Sequence, residues 1–106
     1  MALVASAVPD LMLASRVAGS LTAAGHEVVP VGAGSPVRLP EGVDLVVCDL
    51  EAVDPAEIAE LPVPALGFYS HVDVETRSAA TAAGIDLVVP RSRMARELPE
   101  LVARLL

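Results

Sequence analysis

Short apolar runs alternate with amphipathic stretches along the whole chain. Residues 2–7 (Ala-Leu-Val-Ala-Ser-Ala) are apolar with one polar interruption and read as a first strand. After Pro9 and Asp10, the residues Leu13, Val17, Leu21 and Ala24 recur at helical spacing, with Ala14 and Ala18 beside them. Gly25 closes that helix as a left-handed cap. Val28, Val29 and Val31 make a second strand, ended by Gly32, Gly34 and Pro36. Residues 33–42 carry no strong helical period, so any helix there is short. Asp44-Leu45-Val46-Val47-Cys48-Asp49-Leu50 reads as a buried parallel strand that delivers Asp49 to its C-terminal end. Asp54-Pro55-Ala56-Glu57 opens a helix with an N-cap, a proline at the first helical position and a glutamate at the third. Pro62 and Pro64 stop it. Residues 65–69 form a fourth strand, followed by a polar loop of Ser70, His71, Val72 and Asp73. An alanine-rich helix runs from about Asp73 to Ala83, and residues 86–89 make a fifth strand. Met94, Leu98, Leu101, Val102 and Leu105 form a final apolar stripe. Pro99 interrupts it, which predicts a short turn and then a helix beginning at Pro99.

Five strands alternating with helices predict an α/β fold with a parallel sheet covered on both faces. At 106 residues the chain is expected to be one domain, residues 1–106. Composition narrows the function. The net charge of −7 argues against nucleic acid and against an anionic membrane as partner. Phe68 and Tyr69 are the only aromatic residues, too few for a base-stacking platform. All seven basic residues are arginine, so no Schiff base or catalytic ammonium can come from this chain. Cys48, the single cysteine, excludes a disulfide framework and a zinc site with several thiolates; next to an acid in a buried strand, it reads as a core residue. No apolar run reaches the ~18 residues of a membrane span, and the start of the chain has no charged leader, so the expected location is cytoplasmic. Gly32-Ala33-Gly34 lacks phosphate-loop spacing, no G-x-S-x-G elbow occurs, and His26 falls on the sheet edge away from Asp49.

Three segments together resemble bacterial response-regulator receiver domains. Asp44 to Leu50 resembles the strand of the phospho-accepting aspartate. Pro64-Ala65-Leu66-Gly67-Phe68-Tyr69-Ser70 resembles the strand that ends in the switch hydroxyl. Ala83-Gly84-Ile85-Asp86-Leu87-Val88-Val89-Pro90 resembles the strand that ends in a Lys-Pro pair. The resemblance covers nearly the whole chain. It implies a flavodoxin-like three-layer sandwich with a five-stranded parallel sheet of order 2-1-3-4-5.

The departures bear on function. Receivers carry two adjacent acids after the first strand, which hold magnesium together with the acceptor aspartate. Here that stretch reads Ser6-Ala7-Val8-Pro9-Asp10, so only Asp10 is acidic and it comes late. The lysine position is Val89, and the switch hydroxyl falls at Tyr69 or, one residue on, at Ser70. Asp49, Asp10 and Ser70 therefore mark a degenerate phospho-acceptor site. Arg91, Ser92 and His71 are expected on the same edge, as an anion site or, for Arg91, as an ion pair with Asp49; the ion pair is preferred. The preferred reading is a stand-alone pseudo-receiver: a small signalling or protein-interaction module, not an enzyme and not phosphorylated. It would dock a protein partner, or a second copy as a homodimer, through residues Val74 to Leu106. No metal site or cofactor is expected, Mg²⁺ being the weak alternative. A second reading is an anion- or metal-binding domain or enzyme using the same sheet edge, and a third is a true phospho-acceptor at Asp49.

Overall fold

A computed structural model describes residues 1–34, 36–70 and 74–106. Strands β1 (Leu3–Ala7), β2 (Glu27–Pro30), β3 (Leu45–Asp49), β4 (Ala65–Tyr69) and β5 (Leu87–Pro90) form one parallel sheet in the order β2-β1-β3-β4-β5. The expected topology is therefore observed. β3 and β4 are buried along their whole length, which is why both read as unbroken apolar runs.

Alternation along the strands sends side chains into two cores. Val4, Leu45, Val47, Leu66, Phe68 and Val89 point to one face. There they pack under α1 (Leu11–Ala23) and α4 (Arg91–Leu105), through Val17 and Leu21 of the first and Met94, Leu98, Leu101 and Val102 of the second. Ala5, Ala7, Val46, Cys48, Ala65 and Tyr69 point to the other face, under α2 (Pro55–Ala59) and α3 (Val74–Ala83). On this second face the sheet contributes mostly small side chains, and Ile58 of α2 and Ala80 of α3 pack against them.

No helix forms between β2 and β3 among the described residues. The apolar residues of that crossover, Val31, Val37, Leu39 and Val43, pack directly into the second core, so the chain covers the sheet as an extended strap. The N-terminal edge of the sheet is tied by side chains. Asp44 accepts the Leu3 amide at 2.9 Å, Asp86 accepts the Ala65 amide at 2.8 Å, and His26 Nδ1 accepts the Ala2 amide at 3.1 Å. His26 thus has the structural role expected of it. Gly25 follows α1 with φ +94°, a left-handed conformation that makes it the natural terminator.

One expectation is corrected. α4 runs unbroken from Arg91 to Leu105 with Pro99 inside it, so the helix does not begin at Pro99. Proline removes one intrahelical donor and crowds the preceding turn. A break there would pull Met94 and Leu98 out of register with Leu101 and Val102, and all four are essentially inaccessible to solvent. Burial of that stripe outweighs the local preference of proline.

Candidate functional site

The C-terminal edge of the sheet collects the residues singled out from the sequence, and their local geometry separates them. Asp49 ends β3 and is 9% exposed. One carboxylate oxygen accepts the Glu51 amide at 3.0 Å, and its carbonyl accepts the Ala52 and Val53 amides at 3.0 and 3.2 Å. Asp49 therefore organises its own turn, as an aspartate two residues before an orphan amide is suited to do.

The register shows what lies beside it. Asp49 pairs with Phe68 of β4, and Phe68 pairs with Val89 of β5. On the other side Ala7 pairs with Cys48, so the next residue, Val8, comes alongside Asp49. Val8, Phe68 and Val89 are all buried and belong to the core under α1 and α4. The row flanking the carboxylate is apolar on both sides.

Asp10 is engaged elsewhere. It is the N-cap of α1, and its Oδ1 accepts the Met12 and Leu13 amides at 2.9 and 3.1 Å. Asp54 caps α2 in the same way, accepting the Ala56 amide at 3.0 Å. Among the described residues no three His, Cys, Asp or Glu side chains converge to hold a metal. The described residues do not fit magnesium, because one candidate carboxylate is used as a helix cap and the position alongside Asp49 is valine.

Ser70 follows β4, and its amide donates to Glu51 Oε1 at 3.3 Å. That bond joins the end of β4 to the turn built by Asp49. Arg91 makes no ion pair with Asp49; the ion pairs among the described residues join Glu97 to Arg93 and Arg96, at 3.5 and 3.8 Å. Arg91 and Ser92 instead line a hollow between α1 and α4, with Leu13, Arg16, Ser70 and Ala95. Arg16 was not singled out from the sequence. Its position two turns ahead of the end of α1 reads as an exposed helical residue, and only the packing of α1 beside α4 brings it to Arg91. His71 and Asp73 lie outside the described residues.

Cys48 occupies the strand position before Asp49, with its side chain in the opposite core. Burial first, and the neighbouring Asp49 charge second, push its thiol up to about 12. It is an inert core residue.

No protein-family profile and no curated protein matches the sequence. Solved structures do match in fold. NtrX from Brucella abortus, determined in complex with ADP, is 23% identical with a TM-score of 0.78, covering 99% of this chain and 26% of that one. The non-phosphorylated HemR receiver domain from Leptospira biflexa is 17% identical, with a TM-score of 0.75 and coverage of 99% and 94%. The ChxR receiver domain from Chlamydia trachomatis is 19% identical, with a TM-score of 0.70 and coverage of 97% and 94%. The chain thus spans about a quarter of the NtrX chain and nearly all of the two receiver domains. At these identities the likeness is one of fold, and the fold is that of response-regulator receivers.

Proposed function

We propose that the chain is a pseudo-receiver: a signalling module that uses the receiver fold for protein interaction and does not take a phosphoryl group at Asp49. The observation that carries this reading is the apolar row Val8–Asp49–Phe68–Val89. An acyl phosphate needs cations and oriented donors to offset its charge. Here the positions nearest the carboxylate supply methyl groups and a phenyl ring. The wider field is also adverse. Glu41, Asp44, Asp49, Glu51, Asp54, Glu57 and Glu60 lie in one stretch without a basic residue. A phosphoryl group on Asp49 would add negative charge beside Glu51, whose amide already holds the carboxylate.

The interaction surface we assign is the one formed by residues 74–106, excluding the buried stripe of α4. Val74 is 66% exposed at the start of α3 and, with Arg77, Ser78, Thr81 and Ala82, lines a shallow hollow. Small side chains on this helix lose little conformational freedom on contact. The occupant is a protein partner or a second copy, within the cytoplasm.

Incubation with acetyl phosphate and Mg²⁺, followed by intact-mass measurement, tests the central point. The expected spectrum shows unmodified protein at all times. A phosphoryl adduct that forms on the wild type and is lost in Asp49→Asn would overturn the proposal.

A further inference from the structure

Two arginines meet at the crevice between α1 and α4. Leu13 and Arg16 come from α1, Ser70 from the end of β4, and Arg91, Ser92 and Ala95 from the first turns of α4; together they line a hollow of about 370 Å³. The chain has fourteen acidic residues against seven basic ones, yet among the described residues no acid lines this hollow. Arg93 and Arg96 are paired with Glu97, whereas Arg16 and Arg91 make no ion pair among the described residues.

A second observation points the same way. The first turn of α4 carries Arg91 and Arg93 and no acid, and no side chain caps it. Cations at the positive end of a helix are unfavourable, and amides left without an acceptor there are costly unless water or an anion takes them. An anion seated in the crevice would relieve both problems at once.

We propose that this crevice binds a small phosphate monoester, with the phosphoryl oxygens on Arg16, Arg91, Ser70 and Ser92 and the organic part against Leu13 and Ala95. The donors come from three separate elements, which suits a tetrahedral dianion better than a planar carboxylate. Guanidinium groups bind such oxygens in pairs. The site contains neither Asp49 nor Asp10, and binding requires neither magnesium nor covalent chemistry. It is therefore independent of whether Asp49 can be phosphorylated.

The test is an NMR titration of ¹⁵N-labelled protein with phenyl phosphate and, separately, inorganic phosphate, at constant ionic strength and without magnesium. Saturable shifts centred on the amides of Ser70, Arg91, Ser92 and the turn around Arg16 are expected, and Asp49→Asn, which keeps an acceptor for the Glu51 amide, should still bind. Arg16→Gln and Arg91→Gln should each weaken binding about tenfold or more, the loss of a charged hydrogen-bond pair. Both arginines are exposed, so a well-dispersed spectrum for each variant is expected and separates lost binding from lost folding. Phenyl phosphate should bind more tightly than inorganic phosphate. Shifts that rise linearly with concentration, that spread over all the arginines, or that persist in both variants would overturn the site. Equal affinity for the two probes would overturn the monoester assignment.

Discussion

Gly67→Ala is a direct probe of how β4 accommodates the turn after Asp49. A Cβ at this position would lie 2.6, 2.7 and 2.8 Å from Cδ2, Cγ and Cδ1 of Leu50. Normal carbon–carbon contact is about 3.5–4.0 Å. Because Cγ is among the clashing atoms, rotating a methyl group cannot relieve the overlap; the whole side chain has to move. Leu50 has little room, being 3% exposed and anchored by its amide to the Phe68 carbonyl at 2.9 Å. Overpacking of this kind costs about 1–3 kcal/mol. Replacing glycine at an unstrained backbone position returns roughly 0.4–1 kcal/mol through the unfolded state. The net loss is then about 1–2 kcal/mol, or roughly 5–15 °C in Tm for a domain of this size. Leu50→Ala alone should cost about 2–5 kcal/mol by leaving a cavity. In the double variant the new methyl group occupies part of that space, so the two losses should fall short of additivity by about 1–3 kcal/mol. Urea unfolding of all four proteins, followed by circular dichroism, measures the cycle. Additivity within about 0.5 kcal/mol would refute the claim that Leu50 is what keeps position 67 a glycine.

Three other outcomes follow from the same geometry. Pro99→Ala restores a helix donor in α4 and should stabilise the protein by roughly 1–3 kcal/mol, read as a higher urea midpoint; an unchanged midpoint would mean that the helix carries no proline penalty. Asp10→Ala removes the acceptor of the Met12 and Leu13 amides and should cost about 1 kcal/mol, with faster hydrogen exchange confined to the first turn of α1. Cys48 has a folded-state pKa raised from 9.0 to about 12, so the protonated thiol is favoured by folding; its contribution is complete below about pH 9 and is lost as pH rises toward 12. Cys48→Ala should therefore flatten the decline in stability over that alkaline range, and the native wild type should resist thiol reagents at pH 8 until unfolded.

Much of this architecture was legible because the central strands are buried on both sides. An unbroken run such as Leu45-Val46-Val47-Cys48 has few other homes than the middle of a parallel sheet, and its single terminal acid marks the edge. Caps were legible too: Asp54-Pro55 opens α2 in the structure as its local chemistry requires. Pro99 misled because local propensity competes with burial of a stripe whose partners lie on β4, β5 and α1, far away in sequence. That Arg16 and Arg91 line one hollow was invisible for a similar reason. Arg91 was a candidate from its place after β5, but Arg16 belongs to no motif and reaches the hollow only through the packing of α1 beside α4. The Arg91–Asp49 pair failed on the same detail: the edge brings both residues to one side of the sheet, but Asp49 finds a nearer donor in its own turn.

That nearer donor ties the Asp49 turn to the end of β4. Asp49 holds the Glu51 amide, Glu51 holds the Ser70 amide, and Ser70 lines the arginine crevice. The carboxylate that a receiver would modify is here one end of a hydrogen-bonded relay, and the other end faces the proposed anion site. Contact alone is not coupling. A ligand in the crevice shifts this relay only if it binds two arrangements of the Ser70 segment with different affinity. The 3.3 Å bond between Ser70 and Glu51 is long for a charged acceptor, and both residues are at least partly exposed, so it is the joint at which such a difference would cost least. Coupling is reciprocal. Weakening that joint with Glu51→Gln should therefore alter phenyl phosphate affinity while leaving Arg16 and Arg91 in place, whereas an unchanged affinity would make the crevice a binding site without a route to the Asp49 turn.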